Sequence, residues 1–203
     1  PDMVVVAKAL SGGFVPVGAV LMRDDICSSV YTSAEKAFVH ASTFGENTLA
    51  MRAGLATLSV LEDERLGSKA QALGKRLRDG LTVAGSEFEM VREVRGVGMM
   101  CGIEFQAPRS TALRLLFSGF AKAHPGLFGQ ICVSTLFNDS HILTQMAGNN
   151  YMVLKLLPPL IATESQIDQV IDGFKNLFET IQHSKKRFWG RGMKIGSDLL
   201  GLT

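Results

Sequence analysis

One primary amine stands in an unusual setting. Lys8 follows the apolar run Met3–Ala7 and precedes the turn residues Ser11, Gly12 and Gly13, after which a second apolar stretch, 17–22, leads away. A bounded β-branched run predicts a buried strand, and a glycine pair marks where backbones or a ligand come close. Burial penalises a charged amine and lowers its pKa, and an unprotonated amine condenses with a carbonyl to form a Schiff base. A strand-end lysine also serves structure, its stem packed on apolar surface and its ammonium in water. These residues alone leave both roles open. A second cluster, His40-Ala41-Ser42-Thr43-Phe44-Gly45, sets two hydroxyls beside a glycine. Hydroxyls and backbone amides of such a loop donate to a phosphate dianion, although the same residue types also cap helices. Cys27, Cys101 and Cys132 are widely spaced and make no zinc pattern, so no metal site is expected and a reducing, cytoplasmic setting suits them. Packing is the simpler role for thiols so dispersed.

The elements that must position these groups follow from periodicity. Residues 17–22 read as a second strand, and Asp24 or Asp25 as the cap of a short helix running to Tyr31. Leu49, Ala53, Ala56, Val60 and Leu61 repeat at helical spacing over 48–65. The helical pattern resumes beyond Gly67 with Ala70, Leu73, Leu77 and Leu81 and stops at Gly85-Ser86. From Met90 to Phe105 the period changes to that of two short strands hinged at Gly96-Val97-Gly98. That Gly-x-Gly lacks the third glycine and the following helix of a dinucleotide fingerprint, which excludes that reading. Residues 109–137 form two helices jointed at His124-Pro125-Gly126, 138–150 is polar and turn-rich, and 151–160 is a strand stopped by Pro158-Pro159. Thr163 and Gln166 make a capping box for a last helix that buries Ile167, Val170, Ile171, Phe174 and Phe178. The tail from Lys185 mixes Phe188 and Trp189 with Arg187, Arg191 and Lys194. An anionic or lipid-headgroup surface would use such residues, but a mobile, solvated C-terminus is the expectation.

Composition bounds the function. The chain has 203 residues, 46% hydrophobic and 20% charged, which is ordinary globular usage for one large domain or parts of two. A net charge of +2 argues for neither nucleic acid nor a membrane surface, and no apolar run approaches the roughly 18 residues of a membrane span. The chain opens at Pro1-Asp2 directly into a strand whose neighbours would have to come from elsewhere, and so reads as the C-terminal half of a longer polypeptide.

Four segments, in order, resemble the class III pyridoxal-phosphate (PLP) aminotransferases, the group that includes ornithine, acetylornithine and 4-aminobutyrate aminotransferases. Asp2, Lys8, Leu10, Ser11, Gly12, Gly13, Pro16 and Gly18-Ala19 are similar to that family's cofactor-lysine signature, and residues 40–45 to its His-Gly-Ser-Thr-Phe/Tyr-Gly loop. Residues 94–100 resemble its Val-Arg-Gly-x-Gly-Leu-Met stretch, and 154–160 its Arg-x-x-Pro-Pro-Leu strand. The resemblance covers residues 1 to about 180. It implies an α/β protein of PLP-dependent transferase fold type I: the end of the large-domain sheet plus a small α+β C-terminal domain. On that basis residues 1–66 are the C-terminal part of the large PLP-binding domain, 67–184 the small domain, and 185–203 a basic, aromatic tail. The resemblance further implies Lys8 as the catalytic, cofactor-bearing lysine, Thr43 as a phosphate ligand, and Ser42 and Lys155 as substrate neighbours. Thr43 would serve the other subunit's cofactor, which makes the active site a shared feature of a homodimer. The implied reaction moves an amino group between an amine or amino acid and a keto acid or aldehyde by a ping-pong route.

Three residues depart from the pattern. Lys155 stands where many amino-acid aminotransferases of the family place an arginine on the substrate carboxylate, Glu46 where they have glycine, and Thr48 where they have proline. A lysine lacks the planar fork of arginine, so the first change bears on which substrate is held. The family's glycine-rich phosphate loop, its ring-stacking aromatic and its pyridinium-pairing aspartate precede the lysine and are not among these residues, so this chain alone is expected to be inactive. An aminomutase of the glutamate-1-semialdehyde type shares the fold and the lysine, and a non-catalytic fragment is the reading from another class.

Overall fold

The computed structural model describes residues 1–183 and 185–199, which fall into two compact units, Pro1–Leu66 and Gly67–Thr203. In the first unit, strands β1 (Met3–Ala7) and β2 (Gly18–Met22) pair antiparallel, from Met3 opposite Met22 to Ala7 opposite Gly18. A single 3-10 turn, Lys8–Ser11, begins the connection between them. Helices α1 (Asp24–Val30) and α2 (Thr48–Asp63) follow, with one short 3-10 turn at Ala34–Lys36 between. The expectation of a buried strand is corrected here: all but one residue of β1 is exposed, Val5 at 74%. Among the described residues β1 pairs only with β2, so its valines lie on an open two-stranded sheet. The capping expectation also changes. Arg23 occupies the N-cap of α1 in extended backbone, while Asp24 and Asp25 sit in the first turn, where carboxylates favour the helix dipole. The Arg23 guanidinium bridges Asp2 and Asp25, both at 3.0 Å, and so ties the start of β1 to the start of α1.

The second unit is a four-stranded antiparallel sheet covered by helices. Its elements are α3 (Leu66–Gly85), β3 (Val91–Val97), β4 (Met100–Phe105), α4 (Thr111–Ala123), α5 (Leu127–Ser140), β5 (Gln145–Ala147), β6 (Val153–Leu156), α6 (Glu164–His183) and α7 (Lys185–Leu199). Strand order is β3-β4-β6-β5. The expected stripe of α3 does face inward, with Leu77 and Leu81 fully buried. Gly74 is required by a close approach, since a Cβ there would lie 1.7 Å from the Gly98 carbonyl at the β3–β4 turn. Arg78 donates to that same carbonyl at 2.6 Å. The capping box forms as read: the Thr163 amide donates to Gln166 Oε1 at 2.9 Å, and the Gln166 amide to Thr163 Oγ1 at 3.3 Å. Arg95, on the exposed side of β3, pairs with Glu93 and Glu104, and with Arg92 it holds the Glu104 carboxyl below its usual range.

Two segments differ from expectation. The turn-rich stretch 138–150 contains the last residues of α5 and a short strand, β5, which pairs with β6 from Gln145 opposite Lys155 to Ala147 opposite Val153. The tail is not a solvated end through residue 199, because α7 packs on α5 and α6 with Phe188 at 0% and Trp189 at 2% exposure. Its aromatics therefore belong to the core and not to a lipid-facing surface. Arg191 and Arg187 both reach Asp139 on α5, at 3.0 and 3.3 Å. Burial works to raise the Asp139 carboxyl, but the hydrogen bond and charge of Arg191, with Arg187 behind it, hold it below its usual value. No helix among the described residues is long and apolar enough to cross a membrane.

Candidate functional site

Lys8 is the first residue past β1, and its backbone is left-handed, with φ of +58°. For an L-residue that conformation costs roughly 1–2 kcal/mol, a strain that persists only where the surroundings fix it. The fixing contacts are visible. Gly12, also left-handed at φ +67°, donates its amide to Ala9 at 2.9 Å. The Ser11 side chain is buried at 2% exposure, donates to the Val15 carbonyl and accepts from the Val15 amide at 3.1 Å. That hydroxyl staples the loop leading into β2, a role the residue type alone did not announce. Helix α2 backs the turn, and a Cβ on Gly12 would meet the Phe14 ring at 3.3 Å and Thr57 Oγ1 at 3.4 Å. Lys8, Gly12, Gly13, Phe14 and Pro16 line an open concavity of about 490 Å³. The Lys8 side chain is exposed, which corrects the expectation of an amine buried at the end of a covered strand.

The hydroxyl loop lies in the same unit. Its turn is closed by the Gly45 amide, which donates to the Ser42 carbonyl at 3.0 Å. Ser42 and Thr43 are exposed, and among the described residues neither hydroxyl is engaged in a hydrogen bond. Glu46 holds φ of +56°, a backbone in which glycine carries no Cβ penalty. Asn47 caps α2 by accepting from the Ala50 amide at 2.9 Å, and its own amide donates to the Phe44 carbonyl at 2.8 Å. The turn that follows Lys8 and the Ser42–Thr43 loop are thus both attached to α2, one packed on its side and the other leading into its first turn. No hydrogen bond joins Lys8 to either hydroxyl among the described residues.

Lys155 lies in the second unit, in the middle of β6, opposite Gly102 on one side and Gln145 on the other. Its side chain is half-buried, and its carbonyl accepts from Thr144 Oγ1 at 2.7 Å. Two larger clefts of that unit, about 660 and 720 Å³, run beside α5 and α6 and share Asp139, the anchor of α7. Neither contains a converging amine and hydroxyl set. Burial pushes the Cys101 thiol up to about 11 and raises that of Cys132 well above its usual value, so these thiols are packing groups. Among the described residues no group of three His, Cys, Asp or Glu could hold a metal ion.

The first unit presents groups of the types that engage a carbonyl and a phosphate. They are an exposed lysine on a hydrogen-bonded turn, and two exposed hydroxyl residues beside a tight turn. Comparison with known proteins shows the family. A family profile described as aminotransferase class-III matches residues 1–178. The chain is 35% identical over 184 residues to a diaminobutyrate–2-oxoglutarate aminotransferase of Rhizobium meliloti, covering 89% of this chain and 36% of that one. It is 31% identical over 170 residues to an uncharacterized aminotransferase of Schizosaccharomyces pombe, covering 83% of this chain and 34% of that one. Among solved structures, the ornithine aminotransferase of Toxoplasma gondii superposes with a TM-score of 0.73 at 27% identity, covering 92% of this chain and 38% of that one. That protein carries PLP at partial occupancy in its active site. The chain therefore spans a little over a third of the length of the curated relatives it matches.

Proposed function

The chain belongs to the class-III aminotransferases, a family of PLP fold type I, and from that premise we propose that the protein containing it is a PLP-dependent transaminase in which Lys8 is the catalytic lysine. The observation that carries the reading is the left-handed Lys8, on a turn held by Gly12, Ser11 and α2 and lining an open concavity. Lys8 Nζ would hold the cofactor of its own subunit at the aldehyde end, and Thr43 Oγ1 would hold the phosphate end of the cofactor in the neighbouring subunit. When bound, PLP supplies an electron sink for chemistry at the substrate carbon. Lys8 Nζ would take a proton from that carbon and deliver one back. The Ser11 staple and the α2 backing keep the turn from moving as that proton is exchanged.

Thr43 serves the neighbouring subunit's cofactor in this reading, so the working form is a homodimer. Residues 1–66 act as part of the cofactor-binding domain and 67–184 as the small domain, with Ser42 and Lys155 toward the substrate. The reaction runs as two half-reactions, an amino donor first and a keto acid or aldehyde second. The Rhizobium relative's name pairs diaminobutyrate with 2-oxoglutarate, and a diamino donor with a 2-oxo acid is the pair to assay first. The unpaired cysteines fit a reducing, cytoplasmic setting.

The test is spectroscopic. PLP added to the purified protein should give an absorbance band at roughly 410–430 nm, the protein-bound chromophore expected of such an enzyme. Borohydride should fix the cofactor to one tryptic peptide, that of Lys8, and Lys8→Ala should abolish both band and label. Label on another lysine, or an unchanged band in Lys8→Ala, ends the assignment.

A further inference from the structure

We infer that Asn47 is a positioning residue that fixes the Ser42–Thr43 loop to helix α2, so that phosphate affinity depends on its side-chain amide. This inference rests on the reading of Thr43 as a phosphate ligand. Asn47 uses both ends of its side chain. Oδ1 accepts from the Ala50 amide at 2.9 Å, which caps the helix, and Nδ2 donates to the Phe44 carbonyl at 2.8 Å, which reaches back into the loop. Phe44 is the residue between Thr43 and Gly45, and the Gly45 amide closes the turn on Ser42 at 3.0 Å. The Asn47 amide therefore grips the turn at the Phe44–Gly45 peptide, the one whose N–H closes it.

The grip matters because the intervening backbone is under strain. Glu46 lies between the turn and the cap with φ of +56°, a conformation that a side chain with a Cβ does not prefer. The loop itself is exposed, with Phe44 at 83%, so core packing does not hold it. Among the described residues two hydrogen bonds hold it instead, Gly45 to Ser42 and Asn47 to Phe44. A cap alone is satisfied by Ser, Thr or Asp, which accept but carry no amide. Only a residue with an acceptor and a donor at this reach makes both bonds, and that separates the positioning role from ordinary capping.

Two variants keep the cap and lose the grip: Asn47→Ser and Asn47→Asp. Amide exchange on the unliganded protein is read first. In both variants the Gly45 amide should exchange about three- to tenfold faster, the value of one hydrogen bond, while the Ala50 amide stays protected. Titration with PLP and with pyridoxal, which lacks the phosphate, is read second. Wild type should prefer PLP. Both variants should lose about three- to tenfold in PLP affinity with pyridoxal affinity unchanged, and Asp should lose more than Ser because it adds a negative charge. Should one variant fail to fold, the other carries both readouts. Unchanged Gly45 exchange, or equal loss for PLP and pyridoxal, overturns the positioning role while leaving Thr43 as the phosphate ligand. A wild type that binds pyridoxal as tightly as PLP overturns the phosphate-loop reading, and the role of Asn47 falls with it.

Discussion

Trp189 tests whether α7 is part of the fold. It is the chain's one tryptophan, is 2% exposed, and has ring contacts with Phe188 at 5.1 Å, Phe120 at 5.4 Å and Phe128 at 6.3 Å. Trp189→Ala removes the largest buried side chain of the second unit, and the cost for such a truncation is about 3–5 kcal/mol. For a unit of this size that lowers Tm by roughly 10–20 °C. Trp189→Phe is a sharper test. The Trp189 Nε1 proton has no hydrogen-bond partner among the described residues, and a buried orphan donor costs about 1–3 kcal/mol. Phenylalanine removes that orphan and leaves a void of about 40 Å³, worth about 1 kcal/mol at ~24 cal/mol per Å³. The two terms offset, so Trp189→Phe should stay within about 1 kcal/mol of wild type. Circular dichroism through a denaturant series measures both variants, with the slope checked for constancy. Wild-type emission supplies a mutation-free control: it should be blue-shifted and shielded from iodide. An iodide-quenched, water-like emission, or Trp189→Ala costing under about 1 kcal/mol, would refute the docking of α7.

Three further outcomes follow from particular residues. Glu46→Gly should raise stability by about 0.5–1 kcal/mol, since it relieves a left-handed side chain at φ +56° and gives back part of that in unfolded-state entropy; a loss in Tm would contradict the strain. The Asp139 carboxyl lies below its ordinary 3.8, so its contribution is complete above that value and is lost as pH falls through the lower folded-state value. Acid titration of stability should therefore show a drop beginning below about pH 4 that Asp139→Asn reduces; parallel curves would rule Asp139 out as the cause. Lys155→Arg should shift donor preference toward carboxylate-bearing substrates by about tenfold in kcat/KM, because a planar fork replaces a point charge. If the protein already used glutamate and ornithine well and Lys155→Arg changed neither, the substrate argument built on that lysine would be lost.

Much of the second unit could be read from period and punctuation. The stripe Leu77–Leu81, the Gly96–Gly98 hinge, the joint at Pro125 and the Thr163–Gln166 box are local signals, and each formed where its chemistry placed it. What escaped depended on partners distant in sequence. Strand β5 is three residues long, too short to show alternation, and exists through its pairing with β6. Helix α7 hides its seam behind a glycine: the inward positions are Phe188, Gly192 and Ile195, at helical spacing, with a helix breaker in the middle. The glycine is the reason the seam closes. A Cβ at Gly192 would lie 2.3 Å from Ile131 Cδ1 and 2.8 Å from the Phe120 ring. Apolar composition misled in the other direction for β1, where valines that suit a covered strand stand exposed in this chain.

The candidate site was legible as residue types but not as geometry, and the geometry adds an argument that types could not. In the first unit the non-glycine residues with left-handed backbone are Lys8, Glu46 and Arg65. The first two fall on the lysine turn and the hydroxyl loop, the segments singled out for chemistry on unrelated grounds. Such strain costs free energy and survives where the surroundings over-determine it. Around Lys8 those surroundings are the Ser11 staple and α2, and around Glu46 they are the two side-chain bonds of Asn47, also at the start of α2. One helix thus braces both strained segments. A change that loosens α2 near its start, such as loss of the Asn47 cap, would relax the hydroxyl loop first. The lysine turn, backed further along the same helix at Gly54 and Thr57, would relax later.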